Sequence, residues 1–458
     1  MSNYYVSDSD LTSVANAIRT KGGTSAPLAF PSGFVSAVQA IPQGGGSSDP
    51  VEDNDVMFYD YDGTPLYSYS ATDFLALSAM PDNPDRTAEG LTADGWTHTL
   101  AEAKSYVQNY GILDVGQLYH PTDNLLHFFI EVPECLDDAD RVFGLTVAAT
   151  GTDIYIDWGD GNTTPISSTT ISAYEHTYSA AGAYEVVVYG AKFYFTSSGN
   201  VTGKISPHPA PEMIKKAFLT KTNKLPTSAF SGCISLESIV LDNELTTAIN
   251  DSIFQNCYRL KAVIFSPTYS LQTANPSASR PFYACRNITV IVLPKTVSSS
   301  RLVATFCWYC DSLKRFCCPE NVIGIGGNAF NECHALSDVV IPQTSTYIGE
   351  NAFLYCKSLR RIQLGNTESL SKQAICFDNS LFEKITIPAS MTSIGKNAFS
   401  SRLRTIIMLP ETPPTIQSST FSNLTALTKI IVPAGKLEAY QTATNWANYA
   451  SYMEEVTA

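Results

Sequence analysis

The C-terminal half of the chain repeats one arrangement of apolar positions. A phenylalanine is followed three residues later by cysteine, then by leucine, then by isoleucine or valine, always at the same interval. The arrangement stands at Phe230/Cys233/Leu236/Ile239, Phe254/Cys257/Leu260/Val263, Phe282/Cys285/Ile288/Ile291, Phe330/Cys333/Leu336/Val339 and Phe353/Cys356/Leu359/Ile362. Looser copies are Cys307/Cys310/Leu313/Phe316, Cys376/Asn379/Phe382/Ile385 and Phe399/Leu403/Ile406, and Phe421/Leu424/Leu427/Ile430 closes the series. That makes nine units, and from the fourth onward they step by 23 or 22 residues. One such coil cannot bury its own apolar side, whereas stacked coils share a continuous core. The pattern therefore predicts a solenoid over residues 206–458 with one short strand per coil. Pro211–Leu225 and the helix-like Lys436–Tyr452 are expected to cap its ends.

Upstream the period changes three times. In residues 1–42, Leu11, Val14 and Ile18, then Phe34, Val38 and Ile41, fall at helical spacing, with Gly22-Gly23 between them. A unit this short seldom folds alone and is expected to dock on a partner. Residues 43–50 are a Gly/Ser linker. Residues 51–123 open with a hairpin pattern that turns at Asp62-Gly63. A helix follows from Thr99 to Gly111, with the Thr cap, the Glu102 and the terminal Gly of a well-framed helix. This is a small α+β domain. Residues 124–205 alternate as strands over Leu125–Val132, Val142–Ala148, Ile154–Trp158 and Tyr184–Tyr189. The fold class expected is multidomain and mainly β.

Three segments resemble known families. The repeats carry Ile-Pro after the strand (Ile341-Pro342, Ile387-Pro388). Before the next coil they carry Ile348-Gly-Glu-Asn-Ala-Phe353 and Ile394-Gly-Lys-Asn-Ala-Phe399. This combination resembles the BspA-like class of leucine-rich repeats, whose members are surface and adhesion proteins, so the resemblance implies a binding role. The turn Trp158-Gly-Asp-Gly-Asn, then His176-Thr-Tyr, then Gly182-Ala-Tyr-Glu-Val, resembles a PKD-type, immunoglobulin-like β-sandwich. Leu11–Ser25 with Phe30–Ile41, and Val56–Thr64 with Gly90–Lys104, resemble segments of structural proteins from phages of Gram-positive bacteria.

Those resemblances imply a phage virion protein at the tail tip or a fibre, assembled in the host cytoplasm. Residues 1–42 would anchor it to other virion proteins, as a homo-oligomer, and the repeats would bind a bacterial surface glycan or protein. A head-decoration protein and a bacterial cell-surface adhesin are the alternatives. The first residues lack the basic and apolar segments of a signal peptide, which suits assembly in the cytosol. No stretch of 18 apolar residues occurs, so no membrane span is expected. The net charge is −14, and the acidic residues dominate the N-terminal half, which argues against nucleic acid as the partner.

No catalytic site, cofactor or metal is expected. Eleven cysteines invite a metal or disulfide reading, but six hold one repeat position and act as small apolar residues there. Cys307-x-x-Cys310 has no matching His pair. Asp60-Tyr-Asp62-Gly-Thr64 resembles the nucleophile motif of haloacid-dehalogenase phosphatases, but it is followed at once by a returning strand. Asp157 and Asp160 suit either calcium or capping of the turn they flank.

The expected binding face is the outward side of the coil strands. One row reads Ser238, Ala262, Val290, Arg315, Asp338, Arg361, Lys384, Thr405 and Lys429. The other reads Val240, Ile264, Val292, Cys317, Val340, Gln363, Thr386, Ile407 and Ile431. An apolar row edged by cations marks Val292, Val340, Gln363 and Ile407 with Arg315, Arg361, Lys384 and Lys429 as recognition residues. Burial of the row by a neighbouring subunit is the competing explanation.

Overall fold

The protein is described by a computed structural model over residues 55–134, 141–166, 171–194, 211–222, 225, 228–241, 252–267, 280–294, 302, 304–375 and 383–456. The expected helical anchor 1–42, the linker 43–50 and the rung Cys376/Asn379/Phe382 lie outside these residues. Residues 55–458 form one compact unit.

The small domain is a four-stranded sheet with two helices on one face. Its strands β1 (Val56–Tyr59), β2 (Pro65–Tyr69), β3 (Leu91–Trp96) and β4 (Leu113–Pro121) lie in the order β2-β1-β4-β3. β1 pairs antiparallel with β2 and parallel with β4. Helix α1 (Ala71–Ala76) and helix α2 (Leu100–Tyr110) cover the face made by Val56, Phe58, Leu113 and Val115. The α2 frame is the one its sequence announces. Thr99 and Glu102 form a reciprocal capping box, and Gly111 ends the helix at φ +80°. β4 has no simple alternation, because it is buried on both faces.

Two further sheets face each other over residues 126–194. One contains β5 (Leu126–Val132), β7 (Tyr155–Asp157), β8 (Thr163–Pro165) and β10 (Gly182–Tyr189). The other contains β6 (Val142–Thr150), β9 (Ser172–Thr177) and β11 (Lys192–Tyr194). Alternate residues of β5 (Leu126, Phe128, Ile130, Val132) and of β6 (Phe143, Leu145, Val147, Ala149) are buried in a common core with Trp158.

The first of these sheets does not end at β5. Strand β12 (Ile214–Phe218) pairs antiparallel with β5 on one side and parallel with β13 (Ser238–Val240), the first coil strand, on the other. The sandwich and the solenoid thus share one six-stranded sheet. This satisfies the backbone edge that a terminal coil would otherwise present.

The solenoid has about nine turns. Its main ladder continues through Ala262–Ile264, Val290–Val292, Arg315–Cys317, Asp338–Val340, Arg361–Gln363, Lys384–Ile387, Thr405–Met408 and Lys429–Val432. The Phe rungs stack, with ring centroids of Phe230, Phe254 and Phe282 5.8 and 5.6 Å apart and those of Phe330 and Phe353 5.2 Å apart.

One strand per coil is an undercount. Gly324–Ile325, Tyr347–Ile348, Ser369–Leu370, Ser393–Ile394 and Thr415–Ile416 form a second parallel ladder where the sequence suggests only a turn. These strands have two residues each, too short to show any periodicity. Their Ile-Gly motif has a steric reason, since a Cβ on Gly349 or Gly395 would lie 2.6 Å from a backbone nitrogen of the preceding coil. At the far end, α3 (Leu437–Thr442) and the turn Trp446–Tyr452 seat buried Tyr440 and Trp446 on the last coils. Met453–Glu455 then adds a final parallel strand.

Candidate binding surface

The outward side chains of the coil strands fall into two zones. Over the first five coils they are buried, or half-buried at Arg315 and Cys317, against the chain's own small domain. Tyr59 of β1 and Leu118 of β4 pack with Ala262, Ile264, Val290 and Val292, and partly buried Met57 lies against them. Tyr61, Leu91 and Tyr119 pack with Phe218 and Val240. Val340 joins the helix-covered core of the small domain. β4 crosses the ladder so closely that a Cβ on Gly116 would meet the Ile264 side chain at 2.4 Å.

Polar contacts fix the register of this docking. Arg315 donates to the Asp55 carbonyl at 2.6 Å and pairs with Asp114 at 3.3 Å. The Tyr106 hydroxyl donates to the Cys318 carbonyl at 2.7 Å. Burial pushes the Asp114 carboxyl above its ordinary range, and Arg315 works against that rise. Burial disfavours the Arg315 charge, but Asp114, Cys317, Tyr59 and Asp338 together outweigh it and raise the guanidinium above its ordinary value. A cavity of about 130 Å³ remains at this junction, lined by His98, Glu102, Tyr106, Asp114, Cys317 and Glu320 among others.

The expectation of an open strand face is therefore corrected for Arg315, Val292 and Val340. Val292 and Val340 are 3% and 1% exposed, and Arg315 is spent on a buried ion pair. The apolar row exists as read, but its cover is intramolecular. Arg361 and Gln363 stand on a strand of the same ladder, and their side chains lie outside those described. Lys384 and Thr386 are exposed, and Ile407 and Ile431 are half-buried. Lys429 pairs at 2.7 Å with Glu454 of the last strand. The open zone is thus the last three coils, and its row is less basic than the sequence suggests.

The other candidate sites are occupied by structural bonds. In the Asp60–Thr64 hairpin, Asp62 accepts from the Thr64 backbone N–H at 2.9 Å, and Asp60 is buried against Arg86, whose Nε donates to it at 2.8 Å. Asp157 and Asp160 each accept a backbone N–H of their own turn, from Gly159 at 2.9 Å and Asn162 at 3.1 Å. Asp160 also meets His176 Nε2 at 2.7 Å. Both aspartates are turn caps. Among the described residues no group of three His, Cys, Asp or Glu is placed to hold a metal, and no helix is long and apolar enough to cross a membrane.

The rung cysteines do more than fill space. Cys257, Cys285, Cys310, Cys333 and Cys356 each direct the thiol to a backbone carbonyl of the preceding coil, at 3.0–3.1 Å. Nine cysteines among the described residues form no disulfide. Burial pushes the thiols of Cys257, Cys285, Cys310, Cys333 and Cys356 up, and that of Cys307 up to about 11.

Comparison with known proteins bears on the repeats. The family model described as the BspA type leucine rich repeat region (6 copies) matches residues 223–360 and 324–446. Residues 223–446 are accordingly BspA-type leucine-rich repeats. No curated protein matches the chain. Solved structures to which it is similar include a leucine-rich repeat protein from Bacteroides ovatus ATCC 8483, at 20% identity and a TM-score of 0.39. That match covers 57% of this chain and 73% of that one. A leucine rich cell surface protein from Faecalibacterium prausnitzii A2-165 matches at 16% identity and a TM-score of 0.23, over 58% and 91% of the two chains. The pneumococcal vaccine antigen PcpA matches at 14% and 0.28, over 53% and 66%.

Proposed function

We propose, from the BspA-type repeats of residues 223–446, that this protein is a non-enzymatic adhesin that displays its solenoid to a bacterial surface. The observation that carries the reading is a solenoid of about nine turns, capped at both ends and fused through one sheet to the domains before it. Such a body presents a long, rigid surface at little ordering cost on binding. The carboxylates that suggest chemistry, Asp60, Asp157 and Asp160, are taken up by turns and an ion pair, which suits binding rather than catalysis.

In the finer form of the proposal the protein belongs to a phage virion, at the tail tip or in a fibre. The wording of residues 11–41, 56–64 and 90–104 supports that origin. Residues 1–42 then anchor the chain, and a PKD-like sandwich spaces the solenoid outward. The repeats alone serve a bacterial cell-surface adhesin equally well. Electron microscopy with an antibody to residues 230–430 separates the possibilities. Gold at tail tips supports the virion reading, gold on capsids makes the protein a head decoration, and gold on the envelope of producing cells makes it a cellular adhesin. Labelled protein that adsorbs to no bacterial cell would remove the adhesin reading altogether.

A further inference from the structure

A second surface runs along the corner of the solenoid between the Phe and Cys rungs. The corner turns are tied from coil to coil. Asn256 N–H donates to the Tyr283 carbonyl at 2.8 Å, Ala284 N–H to Trp308 at 2.8 Å, and Tyr309 N–H to Asn331 at 3.0 Å. This registers the side chains of successive corners one above another.

In the third and fourth coils those side chains include Tyr283, Trp308 and Tyr309, and exposed Tyr258 follows the rung Cys257 of the second coil. Trp308 and Tyr309 stack at 5.4 Å, and Tyr283 stands edge-on to each at 5.8 Å. Guanidinium groups lie over two of the rings, Arg280 at 5.2 Å from Tyr283 and Arg286 at 5.8 Å from Tyr309. Arg259 is exposed in the same corner of the second coil. The nearby acids are already engaged, Asp311 with Arg286 at 3.5 Å and His334 at 3.0 Å, and Glu332 with His334 at 2.9 Å. The corner is therefore aromatic and cationic.

Neither property is demanded by the fold. The first coil has Ser231 and Gly232 at the positions of Trp308 and Tyr309, and the fifth has Asn331 and Glu332. Trp308 is set apart again by its N–H. The indole N–H groups of Trp96, Trp158 and Trp446 donate at 2.7–2.9 Å, whereas that of Trp308 has no acceptor among the described residues.

We propose that this corner binds an acidic polysaccharide. The apolar faces of its sugar rings lie on Trp308, Tyr309 and Tyr283, and its carboxylates take the forked donors of Arg259, Arg280 and Arg286. The inference rests on the adhesin reading and narrows it, moving recognition from the strand face to the corner and naming the ligand class.

The test titrates the full chain with polygalacturonate at low and high salt, following tryptophan fluorescence and calorimetry. The expected result is binding that weakens with salt and falls at least tenfold in Trp308→Ala and in Arg286→Ser. Tyr309→Asn is a second variant that keeps the fold, because Asn suits the backbone there at φ +64°. Lys384→Ser on the strand face is expected to bind as the parent does. Absence of binding, equal binding of neutral pullulan, oligothymidylate or polyglutamate, or unchanged affinity in the three corner variants would each overturn the proposal. If cells still adsorb the corner variants fully, the corner fails while the adhesin reading stands. If the parent chain adsorbs to no cell, the adhesin reading fails instead.

Discussion

At the residue scale, the repeat motif encodes backbone conformation as much as packing. Gly232, Asn256, Ala284, Tyr309, Glu332 and Tyr355, each just before a rung cysteine, all have φ between +60° and +82°. Asn328, Asn351 and Asn397, two before the rung phenylalanine, have φ of +50° to +57°. Asparagine tolerates that region better than tyrosine does, and a β-branched residue tolerates it least. Tyr355→Val is therefore expected to cost about 1–2 kcal/mol, whereas Tyr355→Gly should match or exceed the parent. Denaturant midpoints of the two variants check this, and equal losses would remove the backbone explanation.

The thiols give a second residue-scale expectation. Cys333→Ala removes both volume and the bond to the Cys307 carbonyl, for about 1–3 kcal/mol, and Cys333→Ser should recover part of that. Because the folded pKa values are raised, the thiol contribution to stability is complete below the unfolded value of about 8.5. It is lost as pH rises through that value toward the folded ones, about 11 for Cys307. Melting temperature should fall above about pH 9, and a thiol reagent at pH 8 should find the rung cysteines only after unfolding. Rapid labelling of the native protein would contradict this.

At the element scale, β4 decides which part of the solenoid is open. It is buried by its own helices on one face and by the coil strands on the other. Asp114→Ala leaves the Arg315 guanidinium buried without its carboxylate and should destabilise docking by about 3–5 kcal/mol. Gly116→Val should act by collision with Ile264. Native-state hydrogen exchange reads both effects. Protection in β4 and in Ala262–Ile264 should drop together, while the last three coils keep theirs. Loss confined to β4 would mean that the coil strands do not depend on the cover. If the cover comes off, a long apolar row is exposed, so these variants should also self-associate.

At the scale of the whole molecule, the solenoid borrows its first cap from the sandwich. A chain that begins at Lys224 lacks β12 and presents the open edge of β13. It should aggregate or melt well below the parent, whereas a chain that begins at Asp49 keeps every described element and should melt as the parent does. On the virion reading the Asp49 chain should nevertheless fail to enter particles, because residues 1–42 are its anchor. The charge is divided on the same scale. Residues 1–212 hold 27 acidic and 7 basic residues, and residues 213–458 hold 16 and 22, so the solenoid end is the one better suited to an anionic surface.

What the sequence determined by itself is whatever repeats or is framed locally. The Phe, Cys and Leu rungs, the Thr99–Gly111 helix frame and the alternation in β5 and β10 each act within a few residues or recur at one period, so they can be read from the chain. The second ladder escaped because two-residue strands carry no periodicity. The cover on the coil strands escaped for a different reason. Apolar residues on a strand look the same whether they face water, another protein or the chain's own β4. Arg315 looks like a free cation until folding brings Asp114, some two hundred residues away, to 3.3 Å. Only the tertiary structure decides which of two equally apolar faces is covered, because that choice depends on how separate domains dock and not on any local preference.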